Sequence, residues 1–305
     1  MAPSQVRRRL DRGNFPSMLR IKRPALLIAL MTVSALSQAW IDTGHMLVAA
    51  IAEAKLTPKA KTEADRLLRT GADARNADFV TTSPWADDVR RNRPETGPWH
   101  YIDYHFRTDG KFTANKPDAE NAVWAINKFS LILKDKSKSD LERSEALRYL
   151  IHFVGDVHQP LHATARDSDE HPKGDKGGND FKITAPAVFG SISRPPRNLH
   201  SFWDFGGGLF MGETRPLSPA SRSRIETQAK SLMSTNPERS FKSAKDMNPE
   251  HWAQESFGYD KEFVYTTQDG GTPSDAYVKG TQDICAHRIS LAGYRLARLL
   301  NELLK

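Results

Sequence analysis

Cysteine is almost missing from this chain of 305 residues, with Cys285 as its single representative. That excludes an intramolecular disulfide, so the fold must rest on its core and on any metal ions its side chains can hold. Internal repeats and long low-complexity linkers are missing too, which excludes a repeat array and leaves one domain as the reading of the length. No apolar run spans a bilayer comfortably; the one over residues 25–36 is too short. A broad basic face is also lacking. Residues 1–39 hold seven of the 44 Lys and Arg and one of the 37 Asp and Glu, leaving 37 against 36, a net +1, for the remainder. The formal +7 of the whole chain belongs mainly to that first segment, so nucleic-acid binding, if present, has to come from a local site.

What stands in the first segment is a secretory pattern. Arg7, Arg8, Arg9, Arg12, Arg20, Lys22 and Arg23 precede the apolar run, which closes on Ser37-Gln-Ala39. Small residues at those two positions suit a signal peptidase that releases Trp40 as a new amino terminus. Residues 1–39 are therefore expected to be a signal peptide and residues 40–305 the functional domain. Met18 is a second possible start and gives a leader of more ordinary length.

The remainder is patterned for helices. Apolar residues at helical spacing, with caps and prolines at first turns, predict helices over residues 44–56, 58–69, 119–133, 140 to about 159, 198–205, 219–233 and 273–304. Between them lie a charged, glycine-containing stretch over 166–180 and a short alternating segment over 181–184 that suits a small β-hairpin. The expected fold is all-α, a mainly helical single domain with that hairpin.

Histidine and aspartate fall in a telling order. In Tyr149-Leu-Ile-His152-Phe-Val-Gly-Asp156-Val-His158-Gln-Pro-Leu-His162, the pair His152 and Asp156 is spaced i, i+4. On a helix that puts imidazole and carboxylate on one face about 6 Å apart at Cβ, within reach of one metal ion. Pro160 lacks an N–H and clashes with the carbonyl of Asp156, so the helix ends near Gln159 and His162 can turn towards the same pocket. His200 and Asp204 repeat the spacing, with Asn198 as a cap. A single pair of this kind is more often a hydrogen-bonded structural contact; two are harder to dismiss. Trp85-Ala-Asp87 and Trp99-His100-Tyr-Ile-Asp103 add a further carboxylate and imidazole, each beside a Trp. Cleavage before Trp40 would free an α-amino group of pKa about 8 that, with the adjacent carbonyl oxygen, can chelate a metal.

These blocks resemble the zinc-dependent single-strand nucleases and 3′-nucleotidases of the S1/P1 type, which are related to zinc phospholipase C. The likeness runs nearly the whole length of residues 40–305: Trp40 with His45 five residues on, Trp85-Ala-Asp87, Trp99-His100-Tyr-Ile-Asp103, the His152 to His162 block, Gly177-Gly-Asn179 and Asn198-Leu-His200-Ser-Phe-Trp-Asp204. It continues in Trp252-Ala-Gln-Glu-Ser256 and in residues 292–301.

The resemblance implies a phospholipase C/nuclease-like fold and three Zn²⁺ ions. Asp87, His100, His152 and Asp156 would hold one, Asp156 would bridge to a second held by Trp40 and His45, and His162, His200 and Asp204 would hold the third. It also implies an exported phosphodiesterase that hydrolyses single-stranded RNA or DNA in line to 5′-phosphorylated products, and 3′-nucleotides as well. Asp87 would orient the nucleophile, and Arg90, one turn on, would neutralise the transferring phosphoryl group; a solvated arginine is the alternative for Arg90. Tyr101, where fungal members usually carry Phe, would stack on a base and Asp103 contact its edge, with a core aromatic as the alternative for Tyr101. Asn179 would steady a loop near the cleft. His158 points off the shared helix face, and His105, His171, His251 and His287 have no ligand spacing. The charged insertion over 167–176 is expected to border the cleft.

Two other readings stay open on the residues alone. A zinc phospholipase C shares the amino-terminal Trp and the spacing of His152, Asp156 and His162, but His45 close behind Trp40, Asp204 in place of Glu, and Tyr101 with Asp103 oppose it. A non-catalytic zinc-binding protein would use the metal for its fold only. The processed chain is expected to be a monomer without stable membrane association, in a periplasm or outside the cell.

Overall fold

The computed structural model describes Met1 and residues 40–190, 192–210 and 212–305; residues 2–39 of the expected leader, and its cleavage, lie outside the described residues. Helix α1 (Asp42–Glu53) is buried along almost its whole length. It lies between α9 (Asp275–Leu303) and α7 (Pro219–Thr235). A helix apolar on all sides has to be central, and α1 is.

Helix α5 (Asp140–Asp156) is the second central element, packed on α4 (Ala122–Lys134) and α2 (Pro58–Leu68). It opens with a reciprocal Ser139–Glu142 capping box, which satisfies two of the amide donors that a helix start leaves unpaired. It stops at Asp156, earlier than the sequence pattern suggests, because the Pro160 ring excludes the carbonyl position a further turn would need. A tight turn over Pro160–His162 follows. The short α6 (Leu199–Asp204) is capped by the Asn198 side chain on Ser201 N. Two helices were not legible as such: α3 (Trp85–Arg90), a single turn and a half, and α8 (Pro249–Glu262), capped by Asn248 with Pro249 in its first turn.

The mainly helical class holds, but the hairpin does not. Among the described residues the only paired strands are β1 (Tyr104–Phe106) and β2 (Thr164–Arg166), and they run parallel, Tyr104 opposite Thr164. The segment over 181–184 makes one antiparallel bridge, Lys182 to Asn198. Pro186, Pro195 and Pro196 in the intervening chain cannot donate to a ladder, so a returning strand has no support. The parallel pair instead ties the chain after His100 to the chain after His162. No helix of the described residues is long and apolar enough to cross a membrane.

Candidate metal centre

Six separate elements deliver the eight predicted side-chain donors to one buried region. His45 comes from α1, Asp87 from α3, His100 from the end of the turn Pro94–His100, and His152 and Asp156 from the last turns of α5. His162 comes from the turn after Pro160, and His200 and Asp204 from α6. All eight are buried.

They group as His45, Asp87 and His152, as His100, His152 and Asp156, and as His162, His200 and Asp204, with the donor atoms of each group within 4.8 Å of one another. Asp156 is divided between neighbours. Its Oδ2 lies 3.0 Å from His100 Nδ1 and 3.2 Å from His152 Nε2, and its Oδ1 faces His45 Nε2 at 3.4 Å. Asp87 approaches from the other side, 3.6 Å from His100 Nδ1 and 3.8 Å from His152 Nε2.

The hydrogen bonds around the outside of the region decide which atoms face in. His152 Nδ1 donates to Ser83 O at 2.8 Å, His162 Nδ1 to His100 O at 2.7 Å, and His200 Nδ1 to Gly177 O at 2.7 Å. A carbonyl only accepts, so each of these Nδ1 atoms carries a proton and a neutral ring is left with a lone pair on Nε2. Yet His162 Nε2 and His200 Nε2 lie 3.0 Å apart, lone pair towards lone pair. His45 Nδ1 and Nε2, Asp87 Oδ1, His100 Nε2 and Asp156 Oδ1 are buried without a hydrogen-bond partner among the described residues. Each such group costs about 1–3 kcal/mol. A cation removes that cost for the atoms that face it, and imidazole nitrogen with carboxylate oxygen is the donor set of Zn²⁺. The residues present fit the metal.

For four of the five imidazoles burial favours the neutral form. Burial presses the His45 imidazole well below its ordinary value, helped by His152, and presses His200 down to about 3, helped by His162. Burial also lowers His100 and His162. His152 behaves differently: burial would lower it, but Asp156 and Asp87 outweigh that and hold it at about 9. Burial would raise Asp156, but His152 and the His100 hydrogen bond hold it well below the usual carboxylate range. Burial pushes Asp204 up, and the Gln159 amide opposes that.

Glycine makes two approaches possible. A Cβ at Gly155 would stand 3.0 Å from His45 Nδ1, tight enough that the ring or the helix would have to shift. Gly177 has φ +58°, which turns its carbonyl onto His200. Asp175 holds that loop by accepting from Arg166 N, Gly178 N and the Tyr265 hydroxyl. Trp40 is fully buried beside the region. Its indole donates to Gly155 O at 2.9 Å, and the next amide, Ile41 N, donates to Asp204 O at 3.2 Å.

The other predicted positions lie around this region. Arg90 is buried, 4.0 Å from Asp87 Oδ1, so the solvated-arginine alternative does not hold. Tyr101 is half-buried, makes no ring contact with another aromatic among the described residues, and is not a core aromatic. Burial raises its hydroxyl, with the charges of Asp103 and Asp118 adding and that of Arg90 opposing. Burial lifts the Asp103 carboxyl to about 7; His105 opposes, and Asp118, Asp175 and Asp167 add. The insertion over 167–176 is tied to the strand after Asp103 by Asp167, 2.7 Å from His105 Nδ1. Asn179 donates to Lys176 O at 2.8 Å and lies 3.5 Å from Asn198, the cap of α6.

None of the remaining histidines joins the three groups. His158 donates to Val154 O and accepts from Arg295, buried away from solvent; His105 pairs with Asp167, His251 with Asp246, and His287 packs on Phe241. Gln159, Ser83, Asp175 and Gly155 bear on the region without having been singled out in the sequence. Gln159 and Gly155 stand inside the His152 to His162 block, which was the available signal.

Comparison with known proteins follows the same residues. The family model described as S1/P1 Nuclease matches residues 40–305. The chain is 26% identical to Endonuclease 2 of Arabidopsis thaliana over 282 residues, covering 87% of this chain and 90% of that protein. It is 30% identical to Nuclease P1 of Penicillium citrinum over 54% of this chain and 57% of that one, and 24% identical to Nuclease S1 of Aspergillus oryzae over 94% and 97%.

Proposed function

Because the chain belongs to the S1/P1 nuclease family, we propose that it is an exported phosphodiesterase that uses three Zn²⁺ ions to hydrolyse single-stranded RNA and DNA, and 3′-nucleotides, to products with a 5′ phosphate or a free nucleoside. The observation that carries this reading is the 3.0 Å approach of His162 Nε2 to His200 Nε2, both turned inward by carbonyl-bound Nδ1 atoms. With both rings neutral, as their burial favours, such an approach is favourable only around a cation.

Asp87, His100, His152 and Asp156 would hold one ion, and His162, His200 and Asp204 another. Asp156, through its second oxygen, would share the remaining ion with His45 and with the amino nitrogen and carbonyl oxygen of Trp40. When bound, the ions supply Lewis-acid polarisation of phosphodiester oxygens and make water a usable nucleophile at neutral pH. Three divalent ions against three aspartates leave the pocket about three charges positive, which captures phosphate without a basic surface. The bonds from Trp40 to Gly155 and from Ile41 to Asp204 support a place for the new amino terminus beside the ions.

The chain's own residues do the rest. Asp87 orients the attacking water, and Arg90 beside it offsets charge on the phosphoryl oxygens. Tyr101 stacks on an unpaired base and Asp103 contacts its edge; a base inside a duplex has to be unstacked before it can do either, so single strands are preferred. Asn179 steadies the loop that carries Gly177. The processed protein acts as a monomer in the periplasm or outside the cell, free of the membrane.

The test compares a chain beginning at Trp40 with one carrying a single extra Met before it, on single- and double-stranded DNA, with and without chelator. The first should cleave single strands, lose activity to chelator and regain it with Zn²⁺, and the second should be slower and hold less zinc. Equal activity would contradict the amino-terminal ligand. No cleavage by metal-loaded protein would overturn the enzyme, and preferential hydrolysis of phosphatidylcholine would make it a lipase.

A further inference from the structure

Gln159 stands in the middle of the His152 to His162 block, yet it is neither an expected ligand nor a surface residue; it is fully buried. Its side chain uses both ends. The amide Nε2 donates to Asp204 Oδ1 at 2.8 Å, and Oε1 accepts from Leu161 N at 2.6 Å. One bond reaches across to α6; the other caps the turn that presents His162.

That turn is fastened elsewhere from a different side. Ser256 donates to Val157 O and Arg288 Nε to His158 O, both from the α8 and α9 side of the molecule. Towards α6, Gln159 supplies the polar link, and what it reaches is a carboxylate of the His162, His200 and Asp204 group. With Oδ1 occupied by the amide, Asp204 turns Oδ2 to His200 Nε2 at 3.6 Å.

We propose that Gln159 is a positioning residue that fixes Asp204 as a one-oxygen donor and locks the His162 turn to α6, so that all three members of this group converge. The proposal rests on reading the group as a metal site. The amide is the chemistry the position requires, because it needs a donor at one end and an acceptor at the other, at the reach of three side-chain carbons. Glutamate lacks the donor and methionine lacks both. Partners of this kind, which hold a ligand without touching the metal, set affinity by about 10–100-fold.

Gln159→Met and Gln159→Leu test this, made in the chain that begins at Trp40. Zinc content is measured by elemental analysis after dialysis against buffers of graded free Zn²⁺, with helix content followed by circular dichroism. Wild type should take up three ions. Each variant should need about 10–100-fold more free Zn²⁺ for one of the three, with the other two unchanged. Uptake of all three at wild-type concentrations would overturn the proposal. So would an equal loss at all three, or failure of both variants to fold in saturating zinc, since either outcome assigns Gln159 to the fold alone. A wild-type chain that takes up no zinc would instead sink the metal reading itself, whatever the variants do.

Discussion

His152 and Asp156, and again His200 and Asp204, are four residues apart because a helix returns to the same face in that interval, and both pairs do share a face and a site. This much of the centre is legible from spacing. His162 follows from the helix break at Pro160, whereas His45, Asp87 and His100 are tied to the site only through the resemblance, since each arrives from another element and no local period connects them. Gln159 and Gly155 stand inside the recognised block, but their roles, like that of Ser83, are not legible: their contributions are a side-chain bond to α6, the absence of a side chain under His45 and a carbonyl on His152, all of them distant in sequence. At the same scale lies strand preference. Tyr101→Ala removes a stacking surface that contributes about 1–3 kcal/mol per base, roughly a five- to hundredfold change in affinity. Titration of the variant with a short single-stranded oligonucleotide should show that loss, while weak duplex binding stays as it was. Unchanged single-strand affinity would remove Tyr101 from the binding surface.

Helices carry their own start signals, and where Ser139, Asn198 and Ser274 stand as caps the sequence locates the element within a residue or two. Helix α3 escapes because six residues hold too little periodicity, and α8 escapes although Asn248 and Pro249 mark its start, because its polar face outweighs its apolar one. The β pair is invisible for another reason: parallel pairing of three residues with three is set by the helices on either side, not by alternation. Beneath the end of α5, Glu255 of α8 accepts from Arg288 and Arg295 of α9, both buried. Burial would raise its carboxyl, but the Arg295 hydrogen bond and the charges of Arg288 and Arg295 hold it at about 2, against an ordinary 4.5. A depressed carboxylate stabilises the fold above its unfolded pKa, and that stability is lost as pH falls from about 4.5 through 2. The difference corresponds to something on the order of 3 kcal/mol. Urea unfolding of Glu255→Gln in chelator should therefore show a large deficit at pH 7 that shrinks by pH 3. A deficit independent of pH would mean that packing, not charge, accounts for the pair.

As a whole molecule the chain keeps a net charge near zero outside its first 39 residues and gathers eight histidine and aspartate donors in one buried region. Residues from Trp40 to Lys305 fall in one compact unit, and its two central helices, α1 and α5, both end or begin at that region. Helical patterning foretold the helical core; the metal-site geometry depends on how six elements meet, which no local pattern specifies. The most direct test is anomalous diffraction at the zinc edge from crystals of the chain that begins at Trp40. Three peaks are expected: one among Asp87, His100, His152 and Asp156, one between Asp156, His45 and Trp40, and one among His162, His200 and Asp204. No zinc in these places, in protein that cleaves single-stranded DNA, would contradict the account.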